Sequence, residues 1–125
     1  MENLVREKSA KTPYVEFNAD SGELTIEGIS IPEDTVNFYH SLLYWINEYS
    51  ITPQPKTILN LKLEYFNTST SVVLLNIFKL FSEMQNTEVI INWYYEEEDI
   101  EMEEVGNDYR EMVGVEFNIH AVESF

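Results

Sequence analysis

Ile58-Leu59-Asn60-Leu61-Lys62-Leu63-Glu64-Tyr65-Phe66-Asn67-Thr68-Ser69-Thr70-Ser71 joins two different periodicities through a cluster of short polar side chains. Leu59, Leu61, Leu63 and Tyr65 fall on one side of an alternating run, and Asn60, Lys62 and Glu64 on the other. That is the pattern of a half-buried strand. From about Thr70 to Met84 the spacing changes, with Leu74, Ile77, Phe78, Phe81 and Met84 on one side of a predicted helix. Between the two stand Asn67 and four consecutive hydroxyl residues. Short polar side chains suit a helix start because they accept hydrogen bonds from the unpaired first-turn N–H groups. One such residue is enough for a cap. A helix N-terminus also favours an added anion, so a hydroxyl there is a physically suitable place for a phosphate. Local sequence leaves both uses open.

The flanking chain repeats the strand–helix alternation. Val15 and Phe17 alternate with Tyr14, Glu16 and Asn18, Ala19-Asp20-Ser21-Gly22 signals a turn, and Leu24 and Ile26 alternate with Thr25 and Glu27. This predicts a β-hairpin. Ser30-Ile31-Pro32-Glu33 has capping-box spacing with proline in the first turn, ahead of a helix with Tyr39, Leu42, Leu43, Ile46 and Tyr49 on one face. Pro53 and Pro55 end it. Glu88 to Tyr95 predicts another strand. A helix follows with Met102, Val105, Tyr109, Met112 and Val113 in helical register, Gly114 placed to stop it. Val115, Phe117, Ile119 and Ala121 alternate to the end. Residues 1–11 are polar and without period, which predicts a flexible arm ahead of one domain over 12–125.

The expected fold class is therefore α/β, a mixed sheet of about five strands in the order β-β-α-β-α-β-α-β. Each interior helix has the place of a crossover between parallel strands. Strands buried on both faces read as continuous apolar runs, whereas here Glu16, Glu27, Asn60, Lys62, Glu64, Asn92, Glu116, Asn118 and His120 oppose the apolar set. This predicts helices mainly on one face and an open polar face on the other.

Composition narrows the function. With 7 Lys and Arg against 23 Asp and Glu, the formal net charge is −16. Such a chain repels a phosphate backbone and anionic lipid, so no nucleic acid and no membrane partner is expected. No apolar run approaches the roughly 18 residues of a membrane span, and Met1 to Lys8 lack the apolar segment of a signal peptide, which points to a cytoplasmic location. There is no cysteine, hence no disulfide or thiolate chemistry. The acidic run holds seven acids in nine positions, Glu96 to Glu104, but lacks the ligand spacing and central glycine of a calcium loop. His40 and His120 have no metal-binding motif around them, so no metal and no cofactor are expected. Nucleophile elbows, phosphate-binding glycine loops and dinucleotide fingerprints are absent. These observations argue against an enzyme, with a small metal-dependent one the weakest of the surviving alternatives. A structural or oligomeric adaptor, its hydroxyls acting only as cap, is the other.

The chain resembles the SiaC-type regulatory phosphoproteins of bacteria, which are implicated in biofilm control, over about residues 12–122. The resemblance is carried by Thr12-Pro13-Tyr14-Val15-Glu16-Phe17, Gly22-Glu23-Leu24-Thr25-Ile26-Glu27-Gly28 and Ser30-Ile31-Pro32-Glu33. It continues through Phe38-Tyr39, Trp45, Tyr65-Phe66-Asn67-Thr68-Ser69 and Trp93-Tyr94-Tyr95. It implies a fold like the STAS domains of anti-sigma-factor antagonists and a phosphoacceptor at the threonine after the asparagine, Thr68. Asn67, Ser69, Thr70 and Ser71 are then left as cap or partner contacts. The implied partners are a cognate protein kinase, a PP2C-type phosphatase and a downstream effector, in the family a diguanylate cyclase of cyclic-di-GMP signalling. The unphosphorylated form would activate that effector.

Overall fold

Alternating stretches become strands and helical periods become helices in a computed structural model that describes Met1–Phe125. The elements are β1 (Leu4–Arg6), β2 (Tyr14–Asn18), β3 (Glu23–Ser30), α1 (Thr35–Tyr49), β4 (Lys56–Phe66), α2 (Thr68–Ser82), β5 (Glu88–Glu96), α3 (Ile100–Met112) and β6 (Glu116–Val122). The sheet has six strands, and their spatial order follows the chain. β1–β2 and β2–β3 pair antiparallel; β3–β4, β4–β5 and β5–β6 pair parallel.

The sheet is close to the about five strands expected, with one more, β1, lying within residues 1–11. Leu4–Arg6 pair with Val15–Phe17. This edge is pinned by the Trp45 indole N–H, which donates to the Glu2 carbonyl, and by Asn3 Oδ1, which accepts from Ala19 N–H. Three residues are too few to show a period, so the strand was invisible in the sequence.

Every parallel crossover steps to the next position in the same direction. Because such crossovers are right-handed, helices connected this way fall on one face. Ring contacts agree: Trp45 of α1 meets Phe17, Phe78 of α2 meets Phe117, and Tyr109 of α3 meets Trp93. One contiguous core lies between the helices and the sheet, with Phe17, Leu24, Ile26, Leu59, Leu61, Ile91 and Trp93 as its buried floor. The opposite face is open and polar. There Asn60 Nδ2 donates to Glu23 Oε1, Asn92 Nδ2 to Asn60 Oδ1, and Asn118 Nδ2 to Asn92 Oδ1, an amide chain across four strands.

Two corrections bear on the site. Gly28 pairs with Leu63 but Ile29 with Tyr65, so Glu64 is an extra residue in β4. Such a bulge exchanges the faces beyond it. Tyr65, expected beside Leu63 in the core, is exposed, while Phe66 turns inward against Trp93. Ser30 does not cap α1. It ends β3 in the same inward parity as Leu24 and Ile26, wholly buried, and Asp34 is the N-cap, its side chain accepting from Asn37 N–H.

Candidate functional site

The bulge delivers Phe66 into the core and leaves Asn67 in an extended conformation (φ −89°, ψ 175°) at the start of α2. Asn67 Oδ1 accepts from Thr70 N–H at 3.0 Å and from Ser69 Oγ at 3.1 Å. The helix begins at Thr68, two residues before the expected Thr70, because the cap lies at Asn67 rather than within the hydroxyl run.

The four hydroxyls are not equivalent. Thr70 is fully buried; its Oγ1 donates to the Ser30 carbonyl at 3.1 Å and lies 2.9 Å from Ser30 Oγ. Ser30 Oγ is in turn 2.7 Å from Tyr39 OH. A hydroxyl has one proton to give. Thr70 spends its proton on the carbonyl, so Ser30 donates to Thr70 and Tyr39 donates to Ser30. This directed chain joins α1, β3 and α2 beneath the surface. Burial pushes the Tyr39 phenol up to about 12. Ser69 gives its proton to Asn67, so Thr35 Oγ1, 2.7 Å away, donates to Ser69 and ties the first turns of α1 and α2 together. Ser71 Oγ turns back on the Thr68 carbonyl at 2.6 Å. The Ser71 carbonyl accepts from Tyr109 OH of α3 at 2.8 Å, and burial raises that phenol to about 12.

Thr68 differs from all three. It is exposed, and its hydroxyl makes no hydrogen bond within the protein. As the first residues of the helix, Thr68 and Ser69 have N–H groups with no carbonyl one turn back. Neither α1 nor α2 carries an acid in its first turn, whereas α3 has Glu101 and Glu103 there. Between Glu64 and Glu83 the chain has no acidic residue at all. The unpaired N–H groups of the α2 N-terminus place positive partial charge beside Thr68.

Sequence reasoning located the cluster but missed Ser30, Thr35, Tyr39 and Tyr109, the groups that hold it. Ser30 was legible through strand parity, had β3 been extended past Gly28. The other three are brought in by tertiary packing and leave no local signal. The seven-acid run begins at the end of β5 and runs into α3. No group of three or more His, Asp or Glu side chains is placed to hold a metal ion. No helix is long and apolar enough to cross a membrane.

A mixed sheet with three helices on one face, and a free hydroxyl at the first position of the helix after a parallel strand, define a STAS-like α/β domain. The chain belongs to the SiaC family of regulatory phosphoproteins, whose model matches residues 6–122. An uncharacterised protein of Pseudomonas aeruginosa (strain UCBPP-PA14) is 26% identical over 112 residues, 88% of this chain and 89% of that relative. Apo-SiaC from Pseudomonas aeruginosa superposes with a TM-score of 0.90 at 25% identity, covering 97% of this chain and 100% of that one. A chain from the crystal structure of the diguanylate cyclase SiaD in complex with its activator SiaC, from the same organism, shares the fold. Its TM-score is 0.89 at 24% identity, over 95% of this chain and 99% of that one.

Proposed function

We propose that this protein is a phosphorylation-controlled partner-switching regulator of the cytoplasm, with Thr68 as the phosphoacceptor. Unphosphorylated, it binds and activates a downstream effector, a diguanylate cyclase, as the SiaC of the SiaD complex is named an activator. A cognate kinase adds the phosphate and a PP2C-type phosphatase removes it. The observation that carries the proposal is the inequality of the four hydroxyls: Ser69, Thr70 and Ser71 are committed to hydrogen bonds, and Thr68 alone is exposed and uncommitted.

The mechanism is electrostatic. A phosphate on Thr68 brings a charge of about −1.5 to −2 and three acceptor oxygens. Within the protein, the free first-turn N–H groups and the helix dipole stabilise it by roughly 0.3–1 kcal/mol. At an interface that removes water from this surface, an unpaired phosphate costs on the order of 3–5 kcal/mol. The second term exceeds the first, so the fold persists while binding is lost. Phosphopeptide mass spectrometry of the protein from its native cells finds the phosphate on Thr68. A pull-down retains the cyclase with wild type and Thr68→Ala but not with Thr68→Asp. Equal retention by the Ala and Asp variants refutes the switch.

A further inference from the structure

The two edges of the sheet are built differently. β1 has three residues, one of them Arg6. β6 has seven, Glu116–Val122, without proline, lysine or arginine, and no strand lies beyond it. Short length, proline and lysine are the usual means by which an edge avoids pairing with another chain, and β6 uses none of them. Its free backbone groups follow from the pairing with β5. The Val122 carbonyl accepts from Glu97 N–H, so Val122 faces β5. Alternate residues of a parallel strand face the same neighbour, which gives Asn118 and His120 to β5 as well. Phe117, Ile119 and Ala121 therefore point their N–H and C=O groups outward, and no loop bonds to them. Their side chains lie on the helical face, Phe117 buried, Ile119 half-buried and Ala121 exposed. On the polar face the amide chain of the sheet ends at β6. His120 Nε2 stands 3.1 Å from Asn92 Oδ1, which can only accept, so Nε2 carries the proton and Nδ1 of the neutral ring is a free acceptor. Asn118 Nδ2 bonds to exposed Glu116 at 2.9 Å and reaches Asn92 only at 3.4 Å.

We propose that β6 pairs antiparallel with β6 of a second copy of this chain, about a two-fold axis through Ile119, joining the two sheets into one. A two-fold contact needs a self-complementary strand, and this register pairs β6 along its whole length. Phe117 meets Ala121, and Ile119 meets its own copy, through the outward N–H and C=O groups. Asn118 stands opposite His120, and Glu116 opposite Val122. Apolar side chains thus face apolar ones on the helical side. On the polar side the Asn118 amide of each copy faces the free His120 Nδ1 of the other, so the amide chain continues from sheet to sheet. Glu116 has an uncharged residue opposite it and His120 on the diagonal, so no like charges are paired. The opposing term comes from α3, which packs on β5 and β6 and carries Glu101, Glu103, Glu104, Asp108 and Glu111. The axis brings two such helices toward each other, so the dimer is weak at low salt and tightens as salt is added. The contact leaves Thr68 uncovered. Ile119 is level with Trp93 and through it with Leu61, whereas Thr68 lies beyond the far end of β4, two strands in from the edge. From strand spacing and rise the two Thr68 sites stand roughly 40 Å apart, at opposite ends of the joined sheet. The contact is therefore independent of the regulatory reading.

Analytical ultracentrifugation of the full chain over a roughly hundredfold range of concentration shows a monomer–dimer equilibrium that added salt shifts toward dimer. Ala121→Pro removes one outward N–H from each copy and none from the β5 ladder, a change that an edge strand tolerates. The variant keeps its folded circular dichroism spectrum and dimerises roughly a hundredfold more weakly. The chain has no cysteine, so cross-linking reads the register without background. Asn118→Cys and His120→Cys chains, mixed and oxidised, link to each other, because a directly opposed non-hydrogen-bonded pair sets its Cα atoms about 4.5 Å apart, within disulfide reach. Neither variant links to itself. Thr68→Asp dimerises like wild type. A chain that stays monomeric throughout overturns the proposal. So does a dimer that survives Ala121→Pro, that salt dissociates, that Thr68→Asp abolishes, or whose mixed cysteine variants link no better than either alone. Loss of effector binding by Ala121→Pro in a chain that is otherwise monomeric assigns the edge to an extended segment of a partner and likewise overturns it.

Discussion

Removing the hydroxyls of the α2 start one at a time separates those that hold the fold from the one that does not. Thr70→Val is nearly isosteric and deletes one oxygen from a wholly buried site. It leaves the Ser30 hydroxyl proton without its acceptor at 2.9 Å and removes the 3.1 Å bond to the Ser30 carbonyl. An unsatisfied buried donor costs about 1–3 kcal/mol. Asn67→Ala removes the oxygen that holds Thr70 N–H, a loss of about 1 kcal/mol for an N-cap. Ser69→Ala breaks two exposed bonds, to Asn67 and Thr35, and costs about 0.5 kcal/mol. Thr68→Ala breaks none and stays within about 0.5 kcal/mol of wild type. For a domain of this size each kcal/mol moves the melting temperature by about 4 °C. Thermal and urea melts of the four variants therefore order them Thr70, Asn67, Ser69, Thr68 from most to least destabilised. A Thr68→Ala loss equal to that of Thr70→Val would show the Thr68 hydroxyl to be structural and refute the inequality on which the regulatory assignment depends.

Three further outcomes follow from other parts of the fold. Gly106→Ala destabilises by about 1–3 kcal/mol in urea melts despite alanine's better helix propensity, because the added Cβ meets Trp93 ring atoms at 2.5 and 2.6 Å. The ring cannot retreat freely, since its N–H donates to the Met102 carbonyl at 3.0 Å. Tyr39 and Tyr109 have folded-state values of about 12 against 10 unfolded, so their neutral forms favour the folded state. Stability is unaffected by them below pH 10 and falls between pH 10 and 12, by about 2–3 kcal/mol for Tyr39 and less for Tyr109; Tyr39→Phe flattens that part of the pH–stability curve. Raising the salt from about 10 to 150 mM raises the melting temperature by screening self-repulsion. The protein has a single ion pair, Lys11–Glu33, on its surface to lose by the same screening.

Much of this architecture was legible because burial is one-sided. Alternation in Tyr14–Asn18, Glu23–Glu27 and Ile58–Leu63 survives only where one sheet face is wet, and that also revealed that the helices share a face. What failed were features decided by contacts remote in sequence. Ser30-Ile31-Pro32-Glu33 satisfies a local capping signature, yet Ser30 is claimed by Tyr39 and by Thr70, which is 40 positions away. The bulge at Glu64 leaves only an irregular spacing, with inward Leu63 followed by inward Phe66 three residues on, and Tyr65 was placed on the wrong face. At the site, a run of four hydroxyls announced a helix start but gave no ranking among them. Resemblance to a family singled out Thr68, and the hydrogen bonds now supply a physical distinction for it.

Under the proposed regulatory reading, that distinction makes the position of a phosphate within one helical turn matter more than the residue type. A phosphate on Thr70 would have to enter a buried hydroxyl chain, displacing the Ser30 and Tyr39 bonds, and would disrupt the packing of α1 and α2 on β3. A phosphate on Ser69 would break the Thr35 tie between the two helix starts. Ser71 points back along its own turn, so modification there would remove the bond to the Thr68 carbonyl. Only at Thr68 is the hydroxyl both exposed and free of protein hydrogen bonds, next to unpaired N–H groups and with no carboxylate in the first turn of α2. A charge added there acts on the surface and not on the core. In that geometry a switch can change what the protein binds while its folding stability shifts by no more than the roughly 0.3–1 kcal/mol of a helix-dipole contact.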